Sequence, residues 1–152
     1  MIQEIKSFNI KTRHYRHGDF IQVMNIWIRT GMGDPARADD ESIVENSIKM
    51  GGALLVLEDT SSGKLCGTSW MTFDGRRILL HHFGILPEYQ GYGFSKILLK
   101  ESLSFVSKKG YQVKLEVHTS NHKALNLYKK FGFKHLEDFD IYIIRDLSKI
   151  IL

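Results

Sequence analysis

The chain of 152 residues contains a single cysteine, Cys66. One thiol rules out an internal disulfide framework and points to a reducing compartment, so a cytoplasmic location is expected. Cys66 lies in a strand-like run and reads as a buried, inert thiol. No apolar run approaches the roughly 18 residues of a membrane span. The opening Met1-Ile2-Gln3-Glu4-Ile5-Lys6 carries an acid and lacks a long apolar core. Neither a signal peptide nor a membrane partner is therefore expected. Internal repeats, low-complexity tracts and interdomain linkers are also missing, so a single domain over 1–152 is expected, with a core from about 9 to 146. The Gly-Lys-Ser/Thr ending of a P-loop does not occur. The net charge of +4 is a small excess that favours anionic ligands. Its basic residues are scattered and not interleaved with aromatics, so no nucleic-acid partner is expected.

What is present is a mixture of strand and helix texture. Phe8 to Arg13 alternates and reads as a first strand. Asp19 then stands as an N-cap before Phe20, Val23, Met24 and Trp27 at helical spacing. Gly31 to Pro35 reads as a loop, and Asp39-Asp40 opens a second helix through Ile43, Val44 and Ile48. Three strands follow, Ala53 to Glu58, Leu65 to Phe73 and Ile78 to Ile85, the last two joined at the hairpin signal Asp74-Gly75. A helix runs from about Phe94 to Lys109 and is closed by Gly110. Gln112 to Val117 alternates as a strand, Asn121 to Phe131 forms a short helix ended by Gly132, and strands are expected near Lys134 to Leu136 and Ile141 to Ile144. The order predicts a layered α/β domain with a mixed, mostly antiparallel sheet of six to seven strands flanked by about four helices.

The most informative stretch is Pro87-Glu88-Tyr89-Gln90-Gly91-Tyr92-Gly93-Phe94-Ser95-Lys96, leading into Ile97-Leu98-Leu99 at helical spacing. Glycines just before a helix let the backbone approach a ligand and leave N–H groups unpaired, the makings of a phosphate site. Glycines also mark ordinary turns. The dinucleotide fingerprint wants a third glycine and an early position in the fold, whereas here Ser95 takes the third place and several strands come first. A second constellation lies at Glu116 to Tyr128. Val113, Leu115 and Val117 share one face of a strand, with Lys114, Glu116 and His118 on the other. Asn121 is placed as an N-cap and Tyr128 as a core or edge aromatic.

Together the two constellations resemble the GNAT N-acetyltransferases. Their acyl-CoA signature, Gln/Arg-x-x-Gly-x-Gly/Ala after a strand ending Val-x-Pro, is matched by Ile85-Leu86-Pro87 and Gln90 to Ser95, with Ser95 in place of the usual Gly or Ala. A second signature, Asn-x-x-Ala-x-x-Leu-Tyr before a Gly-Phe pair, is matched by Asn121, Ala124, Leu127, Tyr128, Gly132 and Phe133. Leu115-Glu116-Val117 with Ser120-Asn121 further resembles the ribosomal-protein alanine acetyltransferase branch.

The resemblance implies an acetyl-CoA-dependent N-acetyltransferase acting on a primary amine of a small molecule, amino acid or peptide by direct attack in a ternary complex. The alternative is a non-catalytic acyl-CoA-binding or sensing module. It further implies that Gly91, Tyr92, Gly93, Phe94, Ser95 and Lys96, with Gln90, wrap the CoA pyrophosphate. Phe83, Gly84 and Ile85 would pair with the pantetheine arm, and Asn121 would contact that arm. Tyr128 matches the family's general acid, and Glu116 is the first candidate for the base, with His82 and His118 as rivals nearer neutrality. Alternation places His81 and His82 on opposite faces, and no ligand spacing supports a metal, so none is expected. Partners are acetyl-CoA and an amine acceptor, with a homodimer left open. On the acceptor side stand Arg37, Asp34 and Asp39 in the loop from Thr30, with Trp27, Trp70 and Tyr142 as pocket or core aromatics.

Overall fold

The computed structural model describes residues 7–152. Strands β1 (Ile10–His14), β2 (Ala53–Asp59), β3 (Lys64–Phe73), β4 (Ile78–Ile85) and β5 (Val113–Leu115) lie side by side in that order. The first four are antiparallel, and β5 joins β4 in parallel. The β3–β4 hairpin turns at Asp74, whose carboxylate accepts the N–H groups of Arg76 and Arg77 at 2.7 and 2.6 Å. β2 is apolar nearly throughout because both of its faces are covered.

Helices α1 (Phe20–Arg29) and α2 (Glu41–Lys49) cover one face, α3 (Phe94–Lys109) covers the other, and α4 (His122–Lys130) follows β5. The sidedness is visible along β3. Thr68 and Trp70 meet α1 and α2 through Trp27 Nε1–H to Thr68 Oγ1 (3.1 Å) and Trp70 Nε1–H to Ser47 Oγ (2.8 Å). Ser69, between them, meets α3 through the Ser102 hydroxyl at 2.7 Å. Trp27 and Trp70 stack at 5.4 Å in the centre of the α1/α2 layer, both buried. Cys66 is buried, and burial pushes its thiol up to about 12, in keeping with the inert role expected of it.

Two expectations are corrected. The sheet has five strands among the described residues, not six to seven. Lys134 to Leu136 and Ile141 to Ile144 are not strands, and Leu136, Ile141, Tyr142, Ile143 and Ile144 stand exposed. A strand needs a laddered partner and a surface to cover, and the three-residue β5 supplies neither to these segments. Asp19 does precede α1, but its side chain caps nothing. It is taken by Arg13, at 2.7 and 3.1 Å, and by the N–H of Arg16. Asp40 and Asn121 do act as N-caps, accepting the N–H groups of Ile43 and Ala124.

Candidate active site

The site is built where β4 bulges against β3 and runs past the end of β5. Toward β3 the register jumps from Thr68↔Gly84 to Trp70↔His81, so Ser69 stands opposite two residues, His82 and Phe83. This is a β-bulge, and His82 carries it at φ 46, a left-handed conformation that costs a non-glycine residue roughly 1–2 kcal/mol. Toward β5 the pairing stops at Leu80↔Leu115, so β4 presents an unladdered edge from His81 to Ile85. The outermost carbonyl, Ile85 O, accepts the Gln90 side-chain N–H at 2.9 Å.

The bulge breaks the alternation from which opposite faces were expected for the two histidines. Both rings lie against the tryptophans, His81 4.4 Å from Trp70 and His82 4.4 Å from Trp27, and their Nδ1 atoms are 2.8 Å apart. One Nδ1 must carry the shared proton. His82 Nε2 lies 3.0 Å from an Asp39 carboxylate oxygen, off the line of a hydrogen bond, and His81 Nε2 has no partner among the described residues. Burial, the charge of His82 and Arg37 hold His81 down to about 3. Burial and Arg37 hold His82 down to about 4, so both rings are neutral near pH 7. Thr68 Oγ1–H donates to His82 O at 2.8 Å, closing a chain from Trp27 through Thr68 to the bulge.

Beyond β4 the chain makes a short turn at Pro87–Tyr89. Glu88 anchors it, accepting two N–H bonds from Arg29 at 2.8 Å each and one from Lys64 at 3.0 Å. Those partners hold the Glu88 carboxyl down to about 2. Gly91 and Gly93 follow at φ 86 and 81, where a side chain would be strained, and a Cβ on either would meet no protein atom within 4 Å. Tyr92 between them packs on Phe8 and stacks on Phe94, with ring centroids 5.0 and 5.7 Å away. α3 begins at Gly93 without a side-chain cap. The N–H groups from Gly91 to Ser95 find no acceptor among the described residues. Five successive donors without an acceptor at the head of a sixteen-residue helix are a backbone arrangement of the kind that binds phosphate. These residues fit a CoA pyrophosphate, and the open β4 edge fits the extended arm beyond it. Lys96 is exposed on the first turn.

The second constellation closes the site from the β5 side. Tyr128 is buried on α4, its ring 6.0 Å from Phe83 and 5.6 Å from Phe133, and its hydroxyl bonds no group among the described residues. Burial pushes the phenol up to about 12, so it keeps its proton. Asn121 spends its carbonyl oxygen on the α4 cap at 3.1 Å, which leaves its amide N–H groups to donate elsewhere. Glu116 is exposed one residue beyond β5, without the burial that would raise a carboxylate toward the basicity an amine's proton requires. His118 is exposed and tied by Nδ1 to the Ser120 hydroxyl at 2.7 Å. Trp27 and Trp70 belong to the core, whereas Tyr142 is exposed.

Three participants were not foreseen from the sequence: Glu88 as anchor, the Gln90 clasp on Ile85, and the approach of Asp39 to His82. Their partners lie 59, 5 and 43 positions away, and only the short Gln90 span left any local trace. Among the described residues, one group could offer a metal three ligands: His17, exposed, with Glu41 and Glu45, half-buried on α2.

The model of the acetyltransferase (GNAT) family matches residues 20–133. An acetyltransferase of Sodalis glossinidius is 24% identical over 126 residues, covering 82% of this chain and 87% of that protein. The N-alpha-acetyltransferase RimI of Mycobacterium tuberculosis is 39% identical over 80 residues, a match that spans 50% of this chain and 49% of the relative. Among solved structures, the PaiA N-acetyltransferase of Thermoplasma acidophilum in complex with coenzyme A superposes with a TM-score of 0.68 at 21% identity, over 83% of this chain and 90% of that one. The family match spans both the loop at Gln90 to Lys96 and the helix bearing Tyr128. The chain belongs to the GNAT family of acetyltransferases, enzymes that take an acetyl group from acetyl-CoA.

Proposed function

We propose that this protein acetylates a primary amine by direct attack in a ternary complex. The observation that carries the reading is the open edge of β4 between two preformed elements: five unpaired N–H groups on one side and a buried, protonated phenol on the other. Acetyl-CoA supplies an activated acetyl thioester. Gly91, Tyr92, Gly93, Phe94 and Ser95 hold the pyrophosphate through backbone N–H groups, with Lys96 adding charge at the rim and Gln90 bracing the loop against β4. Phe83, Gly84 and Ile85 pair with the pantetheine arm as an added strand, and a strand N–H there polarises the acetyl carbonyl. Asn121 donates its free amide to the same arm.

Two protons must move. Tyr128 gives its proton to the departing sulfur, for which a phenol held neutral by burial is well suited. Glu116 receives the proton of the acceptor ammonium through water, a route its exposed position permits.

The test follows free thiol release from acetyl-CoA across a panel of amines. Release dependent on an acceptor is expected, and Tyr128→Phe should lower kcat by about 100-fold or more with little change in KM for acetyl-CoA. Unchanged turnover in both Tyr128→Phe and Glu116→Gln would overturn these roles.

A further inference from the structure

The acceptor-side loop carries charge that the proposed chemistry leaves unused. Arg37 closes the short turn Pro35–Arg37, Ala38 follows in a left-handed conformation at φ 55, and Asp39 comes next. Asp39 reaches the β4 bulge, 3.0 Å from His82 Nε2. From the far end of the chain, Arg145 donates an Nη1–H to Ala36 O at 3.3 Å, across 109 positions. The same loop packs against the acetyl-bearing strand, since a Cβ on Gly84 would lie 2.7 Å from Met32 and 3.4 Å from Thr30. Two guanidinium groups thus act on Asp39 at the segment that abuts Phe83 to Ile85, whose other carboxylates, Asp34 and Asp40, cap the short turn and α2.

Their lack of partners is the informative point. Arg13 and Arg29 each sit in an ion pair with a carboxylate. Arg37 and Arg145 pair with none among the described residues, and the nearest group to Asp39 is an imidazole that burial keeps neutral. Both arginines nonetheless act on Asp39, pulling its carboxyl down against the larger lift of burial. Asp34 and Asp40 on the same segment are taken up by the N–H groups of Ala36 and Ile43, so Arg37 and Arg145 are the charges there left without a carboxylate among the described residues. An acceptor bringing only an ammonium group would leave both guanidinium groups unmatched. An acceptor bringing both an ammonium and a carboxylate would match both signs. A guanidinium also presents its N–H groups in the fork that a carboxylate accepts.

Resting on the amine transfer proposed above, we infer that the acceptor is an amine that also carries a carboxylate, with Arg37 and Arg145 receiving the carboxylate and Asp39 the ammonium. Free amino acids and acidic peptide N-termini share this chemistry.

The experiment compares amino acids with their C-terminal amides, and peptide amides bearing Glu with those bearing Gln at the second position, by thiol release from acetyl-CoA. The carboxylate-bearing member of a pair should show a kcat/KM higher by about tenfold or more. Preference among the free amino acids identifies a small acceptor, and preference among the peptide amides identifies an acidic N-terminus. R37Q and R145Q should each collapse that ratio, whereas R76Q, at the β3–β4 hairpin, should preserve it. Equal rates within the pairs, or a ratio that survives both R37Q and R145Q, would overturn the inference while leaving amine acetylation standing. No thiol release with any acceptor would overturn the proposed function and this inference with it.

Discussion

Tyr128 illustrates how one residue is made fit for its proposed task by its surroundings. Phe83 and Phe133 enclose the ring, and no charged group contributes to its shift. With the phenol at about 12, the donating form persists well above neutrality. No loss of kcat from Tyr128 is therefore expected between about pH 8 and 10, the range in which an ordinary tyrosine starts to ionise. A pH profile of kcat checks this. An alkaline limb in that range that vanishes in Tyr128→Phe would contradict it. Glu116 makes the opposite case, since its spacing marks it for a role that the fold leaves in open solvent. Spacing gave both residues a place in the motif, but burial separates them, and burial depends on neighbours far along the chain.

At the scale of elements, the glycine loop and the β4 bulge do different work. Gly91 and Gly93 are glycine for the backbone's sake, because their φ angles are positive and no protein atom crowds them. Gly91→Ala and Gly93→Ala should each cost about 1–2 kcal/mol of stability. Their larger effect should fall on KM for acetyl-CoA, through a displaced set of N–H donors. Urea denaturation alongside acetyl-CoA saturation curves separates the two effects, and a lost stability with unchanged KM would remove the loop from the binding site. The bulge is held instead by Thr68, which accepts from Trp27 and donates to His82 O. Thr68→Val would leave both partners buried and unsatisfied, at a cost of about 1–3 kcal/mol. The loss should appear in the urea midpoint, and because His82 precedes the segment proposed to hold the acetyl group, kcat should fall as well.

For the whole molecule, the buried histidine pair links stability to pH. In the unfolded chain these imidazoles titrate near 6.5, and in the fold near 3 and 4. Between those values the unfolded chain binds more protons, so stability falls as pH drops from about 6.5 toward 4 and is fully present above 6.5. Urea midpoints at neutral pH and near pH 5 measure the slope, and replacing both histidines with glutamine should flatten it. A fold equally stable across that range would show that the pair is not buried as described. Trp27 binds the α1/α2 layer to the same region. Trp27→Ala should cost about 3–5 kcal/mol, read from the same denaturation curves.

Much of this was legible in the order of residues. Ile78 to Ile85, Phe94 to Lys109 and the caps Asp40 and Asn121 follow from local periodicity and local hydrogen bonding, which act over a few residues and leave their mark in the chain. The glycine loop and the helix bearing Tyr128 were legible for the same reason, and their joint spacing identified the family. The proposed acetyl-CoA cradle is in this sense written in the sequence. The strands expected near Lys134 and Ile141 fail because strand propensity says nothing about whether a partner edge exists. The bulge that turns His81 and His82 to one face depends on the register of β4 against β3, and the contacts of Glu88 with Arg29, Asp39 with His82 and Arg145 with Ala36 join residues 43 to 109 positions apart. Such meetings are settled by how layers pack and where a ladder breaks, and the tertiary structure alone decides which charges stand beside the open edge of β4.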